Sequence, residues 1–160
     1  SVNMVKAFGA AASPMSFGEV YTAIQQGVIN GAENNELALT NNKHGEVAKY
    51  YSYNQHQMVP DVLLGNTKFL DSLSDEEYDI FMEAAQKATE VEMEEWGKAV
   101  EEAKDYAKNE QGVEFIEVDV QAFKDKVVGV QKEMLEDNPD ITDMYEHIQE
   151  VNKKYEEKEQ

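Results

Sequence analysis

The most informative hydrophobic pattern lies in the first quarter of the chain, where an amphipathic stretch runs into a polar turn. Its apolar side chains recur at near-helical spacing, at Val20, Tyr21, Ile24, Val28 and Ile29. Gly27 follows as a stop signal, so the spacing predicts a helix over residues 17–26 and a short buried strand over 28–30. Asn30-Gly31 is a strong turn signal. The chain is therefore expected to turn there into a polar corner, which we define as residues 33–35.

Weaker patterns predict the elements on either side of this helix. They indicate a short helix over 2–10, extended chain over 12–16, one or two helical turns over 34–48, a strand over 49–55 and an extended segment over 58–66. Aromatic and polar positions alternate in the strand, which places Tyr51 and Tyr53 on one face. Pro60 restricts the last segment to a sheet edge or a bulge.

The second half of the chain has the helical period. Ser74 and Glu77 fit a capping box, and the helix that follows, over residues 75–110, would be about 50 Å long at 1.5 Å per residue. After it the sequence predicts a stop at Gly112, a strand near 113–116, a helix over 120–136, a last helix opened by Asn138-Pro139, and a fraying tail over 153–160.

The composition excludes several classes of protein. The 160 residues include 33 acidic residues and 14 lysines, a net charge of −19, so nucleic acid is not an expected partner. There is no cysteine, which excludes disulfides and thiolate metal sites. No apolar run approaches the ~18 residues of a membrane helix. All basic residues are lysine, and the chain therefore has no arginine.

The stretch from Pro14 to Asn34 resembles a family signature. The signature is close to PM-x-F-x-E-V-Y-x-A-L-Q-Q-G-V-x-D-G-x-E-N, and this chain keeps Pro14, Met15, Phe17, Glu19, Val20, Tyr21, Ala23, Gln25, Gln26, Gly27, Val28, Gly31, Glu33 and Asn34. The likeness continues without a gap through Lys43, Glu46, Val47, Lys49 and His56. The chain thus resembles the solute-binding receptors of tripartite ATP-independent (TRAP) transporters, the DctP family.

The resemblance implies the fold class and the extent of the chain. It implies an α/β, helix-rich fold that forms part of a two-lobed periplasmic-binding-protein-like receptor (class II type), with a long helix spanning the lobes. Residues 1–72 would form part of the ligand-binding lobe, and residues 73–160 the long helix, a short strand and the C-terminal helices. The family's carboxylate-binding arginine would lie just before Ser1, so the chain is expected to be the C-terminal half of a longer receptor.

The resemblance also implies the ligand-binding residues, each of which has an ordinary structural alternative. Phe17 would cover apolar carbons of the ligand, or it is a core residue. Asn34, whose amide both donates and accepts, would bind the ligand, or it caps the next helix. Asn35 stands where proline is commoner in the family, and favours a sugar acid such as a hexuronate. Glu33, joined by His56, would orient the arginine from behind, or the two are a surface acid and a satisfied histidine.

The function that the resemblance implies is the capture of a small organic acid outside the cell membrane. The receptor would be periplasmic or a cell-surface lipoprotein, and would deliver its ligand to the membrane permease of the transporter. No cofactor and no catalytic residue are expected. No metal site is expected either, since the spacing of His44, Glu46 and His56 is not a zinc pattern. The chain by itself is expected to bind weakly and to self-associate.

Two other classes of function stay open at this point. The chain could be a helical structural or interaction protein without a small-molecule ligand. It could also be a small acidic enzyme that uses Glu19, Glu33 and a histidine. The sequence contains no G-x-S-x-G motif and no phosphate-binding glycine loop.

Overall fold

The computed structural model describes residues 2–156, with the side chains of residues 2–155. Its helices are α1 (Val2–Ala7), α2 (Val20–Gln25), α3 (Leu37–Asn41), α4 (His44–Val47), α5 (Thr67–Leu70), α6 (Asp75–Asn109), α7 (Val120–Asp137) and α8 (Thr142–Glu156). Short 3-10 helices precede α2 and α8, at Phe17–Glu19 and Pro139–Ile141. The strands are β1 (Tyr50–Tyr53) and β2 (Glu114–Glu117).

Contacts divide the chain into two compact units. One consists of Met15–Val118, and the other of Ser1–Pro14 with Asp119–Gln160. In the second unit α1 packs on α7, where the rings of Phe8 and Phe123 meet edge to face with centroids 5.1 Å apart. The boundary near residue 72, which the sequence suggests from its composition, stays a prediction.

A small parallel sheet organises the unit of residues 15–118. Strands β1 and β2 pair from Tyr50 opposite Glu114 to Tyr53 opposite Glu117. Parallel strands need a long crossover, and the chain between the two strands contains α5 and α6. The buried cluster beside the sheet is small: Leu39 from α3, Ala107 from α6 and Val113, with Tyr51 and Phe115 packed against it.

Helix α6 begins and ends where the sequence predicts. The Ser74 hydroxyl accepts from the N–H of Glu77 at 3.4 Å, and the Ser74 N–H donates to the Glu77 carboxylate at 2.9 Å. The Ser74 hydroxyl also donates to the Glu77 carboxylate at 2.8 Å, and the two hydrogen bonds that this carboxylate accepts from Ser74 lower the pKa of Glu77. At the other end Gly112 takes a φ of 68°, a left-handed conformation that suits glycine. The helix has 35 residues and is buried only at Ala103 and Ala107.

Two of the predicted extended segments are not strands. Residues 28–30 form none, because the N–H groups of Val28 and Ile29 both donate to the Ala23 carbonyl and so close the end of α2. Val28 is largely exposed as a result. The segment around Pro60 lies outside any strand of the described chain, so its predicted place at a sheet edge is wrong. Of the tail that was expected to fray, residues 153–156 belong to α8, and 157–160 lie outside the described residues.

Candidate functional site

The polar corner of residues 33–35 connects the end of α2 with the start of α3. Gly27 takes a φ of 71° and turns the chain away from α2. Within the corner, the N–H of Asn35 donates to the side-chain oxygen of Asn34 at 2.9 Å. This bond uses the Asn34 amide oxygen locally and leaves its NH₂ group as a donor on an exposed side chain. The corner therefore presents a donor that suits a carboxylate or hydroxyl oxygen.

The carboxylate of Glu33 is held by the segment that follows β1. Its Oε2 lies 3.3 Å from Nε2 of His56 and accepts from the Gln57 amide at the same distance. The other ring nitrogen of His56 lies 2.7 Å from the Asn54 side-chain oxygen. A neutral imidazole has a single N–H and donates to one of these two acceptors, whereas the imidazolium donates to both. The structure thus brings Glu33 and His56 together, and their role toward an arginine, which the resemblance implies, stays a prediction.

The main chain of the corner is attached to the sheet by a tyrosine. The hydroxyl of Tyr51 on β1 donates to the carbonyl oxygen of Asn34 at 2.8 Å. Burial, helped by the nearby negative charge of Glu36, raises the pKa of Tyr51 well above its ordinary value, so the hydroxyl remains a donor. Sequence reasoning placed Tyr51 on a strand face but missed this contact, as it missed the contact of Gln57. No sequence signal indicates either one.

Phe17 contacts His44 and is not part of the hydrogen-bonded corner. Its ring meets the ring of His44 with centroids 5.5 Å apart at 64°, and its side chain is 47% exposed. Among the described residues, no hydrogen bond or ring contact joins Phe17 to the corner or to His56. Phe17 is not a core residue, and its exposed ring can still cover an apolar surface of a ligand.

His44 is the buried polar residue of this unit. It is 6% exposed, and burial lowers its pKa below the ordinary value of histidine. No group of three or more histidine and acidic residues in the described chain could hold a metal ion. The site therefore offers hydrogen-bonding groups in the corner and the exposed ring of Phe17. Groups of these kinds suit the non-covalent binding of a ligand.

The corner contains one acidic residue and no basic residue. Glu33 itself belongs to the corner, and the chain has no arginine to pair with an anionic ligand. Lys49 is used elsewhere: its Nζ donates to the carbonyls of Gly45 and Gln111 at 2.8 and 2.7 Å. Lys49 thus joins α4 to the turn that follows α6, and it is not directed at the corner. In the described chain no helix is both long and apolar enough to cross a membrane.

The sequence matches the family of bacterial extracellular solute-binding proteins, family 7, over residues 1–138. An uncharacterized protein of Salmonella typhimurium (YiiZ) is 39% identical over 149 residues, which cover 93% of this chain and 45% of that protein. A solute-binding protein of Chromohalobacter salexigens is 32% identical over 151 residues, which cover 94% of this chain and 45% of that protein. The chain thus spans about half the length of the curated relatives it matches.

Solved structures of similar chains agree with this match. A TRAP periplasmic solute-binding protein of Anaerococcus prevotii, crystallised with bound D-glucuronate, is 49% identical with a TM-score of 0.87, over 96% of this chain and 50% of that one. A TRAP periplasmic solute-binding protein of a Sulfitobacter species, with bound β-D-galacturonate, is 37% identical with a TM-score of 0.82. The match covers 89% of this chain and 47% of that one.

These likenesses confirm the predicted fold class, a helix-rich part of a two-lobed receptor with a long helix. Proteins of this kind serve transport and do not form an enzyme class. The chain belongs to family 7 of the bacterial extracellular solute-binding proteins.

Proposed function

We propose that this chain supplies part of a TRAP-type receptor that captures a sugar acid, a hexuronate, outside the cell membrane. The receptor delivers its ligand to the membrane permease and carries out no chemical step. The observation that carries the proposal is the corner of residues 33–35, held on β1 within a chain that matches two uronate-bound receptors. Its periplasmic or lipid-anchored location belongs to the same proposal.

In the proposed complex, two asparagines make the polar contacts with the ligand and one phenylalanine makes the apolar contact. The exposed amide of Asn34 donates to a carboxylate or hydroxyl oxygen of the acid, and Asn35 adds a second amide beside it. Phe17 covers an apolar face of the sugar ring with its half-exposed side chain. These groups are neutral, so they fix the orientation of the ligand rather than balance its charge.

The charge of the ligand is balanced from outside this chain. Glu33, whose carboxylate contacts His56, would pair with an arginine from the other half of the fold, and the planar guanidinium of that arginine would bind the carboxylate of the ligand. Losing one partner of such a buried charged pair costs about 2–5 kcal/mol, roughly a 30-fold to several-thousand-fold loss of affinity. The chain by itself is therefore expected to bind uronates weakly.

In the complete receptor the ligand would act by closing a hinge. A ligand that contacts both lobes binds the closed state more tightly, and this difference in affinity shifts the equilibrium toward closure.

A chimera tests the proposal. The chain is grafted in place of the matching half of the A. prevotii protein, and thermal unfolding is followed with glucuronate, galacturonate, succinate and neutral glucose. Ligand at a hundred times its Kd stabilises the native state by about 2.7 kcal/mol, so a shift of several degrees is expected with one uronate and none with glucose.

The control variants test whether the corner carries the binding. Asn34→Ala should make the shift much smaller, while Asn42→Ala, an exposed asparagine at the end of α3, should keep it. A chimera that responds to no acid would remove the proposed ligand class. A full response in Asn34→Ala would instead show that the corner does not carry the binding. The chain alone, tested in parallel, should show little or no shift.

A further inference from the structure

The backbone of the corner has one long-range attachment. Among the described residues, the Tyr51 hydroxyl is the hydrogen-bond donor to the Asn34 carbonyl, at 2.8 Å and across 17 residues of sequence. The other hydrogen bonds of the corner are local or hold side chains. The N–H of Ala38 donates to the Asn35 carbonyl at 3.2 Å, the Glu33 carboxylate bonds to His56 and Gln57, and the Asn34 amide oxygen accepts from its neighbour. The position of the Asn34 backbone therefore depends on Tyr51.

The ring of Tyr51 is itself fixed. It meets the ring of Tyr53 edge to face at 5.3 Å and that of Phe115, on the paired strand, at 5.5 Å. It also packs against the buried cluster of Leu39, Ala107 and Val113. A hydroxyl on a ring held this way has few positions open to it, so it transmits the position of the sheet to the corner.

We propose that Tyr51 is a positioning residue for ligand recognition: through the Asn34 carbonyl it fixes the direction in which the Asn34 amide points. The proposal rests on the proposed function, since it concerns the same site. Recognition by a single amide tolerates little displacement, and groups that hold a binding residue in place contribute to affinity without touching the ligand. Tyr51 would thus affect affinity only through Asn34.

Tyr53 provides a matched control for Tyr51. It lies two residues along the same strand, and its ring stacks on Phe115 at 5.9 Å. Its hydroxyl is buried and makes no hydrogen bond to residues 33–35, and the acid that acts on it is Glu36, which lies just beyond the corner. Tyr51→Phe and Tyr53→Phe therefore remove the same atom from neighbouring rings, and only the first removes an attachment of the corner.

The first experiment needs no ligand. Backbone and side-chain amide order parameters of Asn34 and Asn35 are measured by NMR in the chain itself, in the wild type and in both variants. Rigid backbone gives order parameters of about 0.85 and flexible backbone less than about 0.6. We expect Tyr51→Phe to lower the values at the corner and Tyr53→Phe to leave them unchanged. Equal values in all three proteins would overturn the proposal.

The second experiment is a double-mutant cycle in the chimera with the A. prevotii half, with glucuronate binding measured by calorimetry. Loss of one net hydrogen bond predicts about a threefold to tenfold higher Kd for Tyr51→Phe, and an unchanged Kd for Tyr53→Phe. In an Asn34→Ala background Tyr51→Phe should have no further effect, because non-additivity marks residues that act as a unit.

The outcomes separate this inference from the proposed function. An additive cycle, or a Tyr51→Phe chimera that binds like the wild type, would show that Tyr51 does not act through Asn34. A wild-type chimera that binds no uronate would contradict the proposed function instead. In that case the order parameters still decide whether Tyr51 fixes the corner.

Discussion

At the scale of single residues, the burial of His44, the first residue of α4, changes its pKa. His44 is buried, and its ring meets the Phe17 ring at 64° with centroids 5.5 Å apart. Burial disfavours the imidazolium form and lowers the pKa of His44. The unfolded chain has no such burial, and its histidines titrate near the ordinary value of about 6.5.

The difference in pKa predicts that acid destabilises the unit of residues 15–118. Below about pH 6.5 the unfolded state binds a proton that His44 in the folded state resists, so the free energy of unfolding falls as the pH drops toward the lowered folded pKa. His44→Phe should remove this part of the pH dependence. The measurement is the guanidinium midpoint at pH 8 and pH 5 for the wild type and the variant.

His147→Phe is the control for this prediction, because His147 is exposed on α8 in the other unit. It should keep the pH dependence of the wild type. An unchanged pH dependence in His44→Phe would mean that other groups cause the acid sensitivity.

At the scale of elements, the contact between α4 and the end of α6 is close. A Cβ atom on Gly45 would lie 2.8 Å from the side-chain Cδ of Gln111 and 3.2 Å from a Val113 methyl. The Gln111 side chain has little freedom to move away, since its amide donates to the Leu39 carbonyl at 3.1 Å. Lys49 joins the same two segments, since its Nζ donates to the carbonyls of Gly45 and Gln111. Glycine at position 45 is therefore a packing requirement.

Two glycine-to-alanine substitutions should have opposite effects on stability. Gly45→Ala places a methyl group against Gln111 and Val113, and such overpacking costs about 1–3 kcal/mol. Gly97→Ala lies inside α6 with open space around its Cβ, and should stabilise the chain by up to about 1 kcal/mol. Denaturant unfolding followed by circular dichroism measures both. A Gly45→Ala protein as stable as the wild type would show that Gln111 can move aside.

At the scale of the whole molecule, many large apolar side chains are exposed in the segment 58–64 and on α6. The segment 58–64 exposes Met58 to 92% and Leu64 to 83%, and Val59, Val62 and Leu63 are exposed by about two thirds or more. Helix α6 adds Tyr78, Phe81 and Trp96, each more than two fifths exposed. Surfaces of this kind usually mark an interface. The solved structures extend well beyond the half that this chain matches, which is consistent with an interface here.

We expect the isolated chain to form dimers or larger assemblies with itself through this segment. The net charge of −19 opposes association, but screening at physiological salt limits repulsion to about 8 Å. Light scattering after size exclusion over a concentration series should show a mass above the 18.1 kDa of a monomer.

Replacing the apolar side chains tests the origin of the association. The pair Leu63→Lys and Leu64→Lys should return the chain to a monomer. The control Met144→Lys, at an exposed position on α8, should leave the association unchanged. A wild-type chain that stays monomeric at the highest concentration would contradict the prediction.

The sequence by itself determined the elements whose causes are local. The limits of α6 follow from Ser74 and Glu77 at one end and Gly112 at the other, and each signal acts within a few residues. The helix α7 and the strand face of Tyr51 and Tyr53 follow from periodicity in the same way. The family signature indicated the corner and the pairing of Glu33 with His56.

The tertiary structure decided what depends on residues far apart in the chain. Residues 28–30 have the composition of a buried strand, yet their N–H groups complete the end of α2. The Tyr51 hydroxyl reaches Asn34, and Gln111 reaches Leu39 across 72 residues, because the parallel pairing of β1 and β2 brings those segments together. Such contacts depend on register and packing direction, which composition and spacing do not encode. The sequence therefore specified the helices and the signature, and the fold specified how the corner is held.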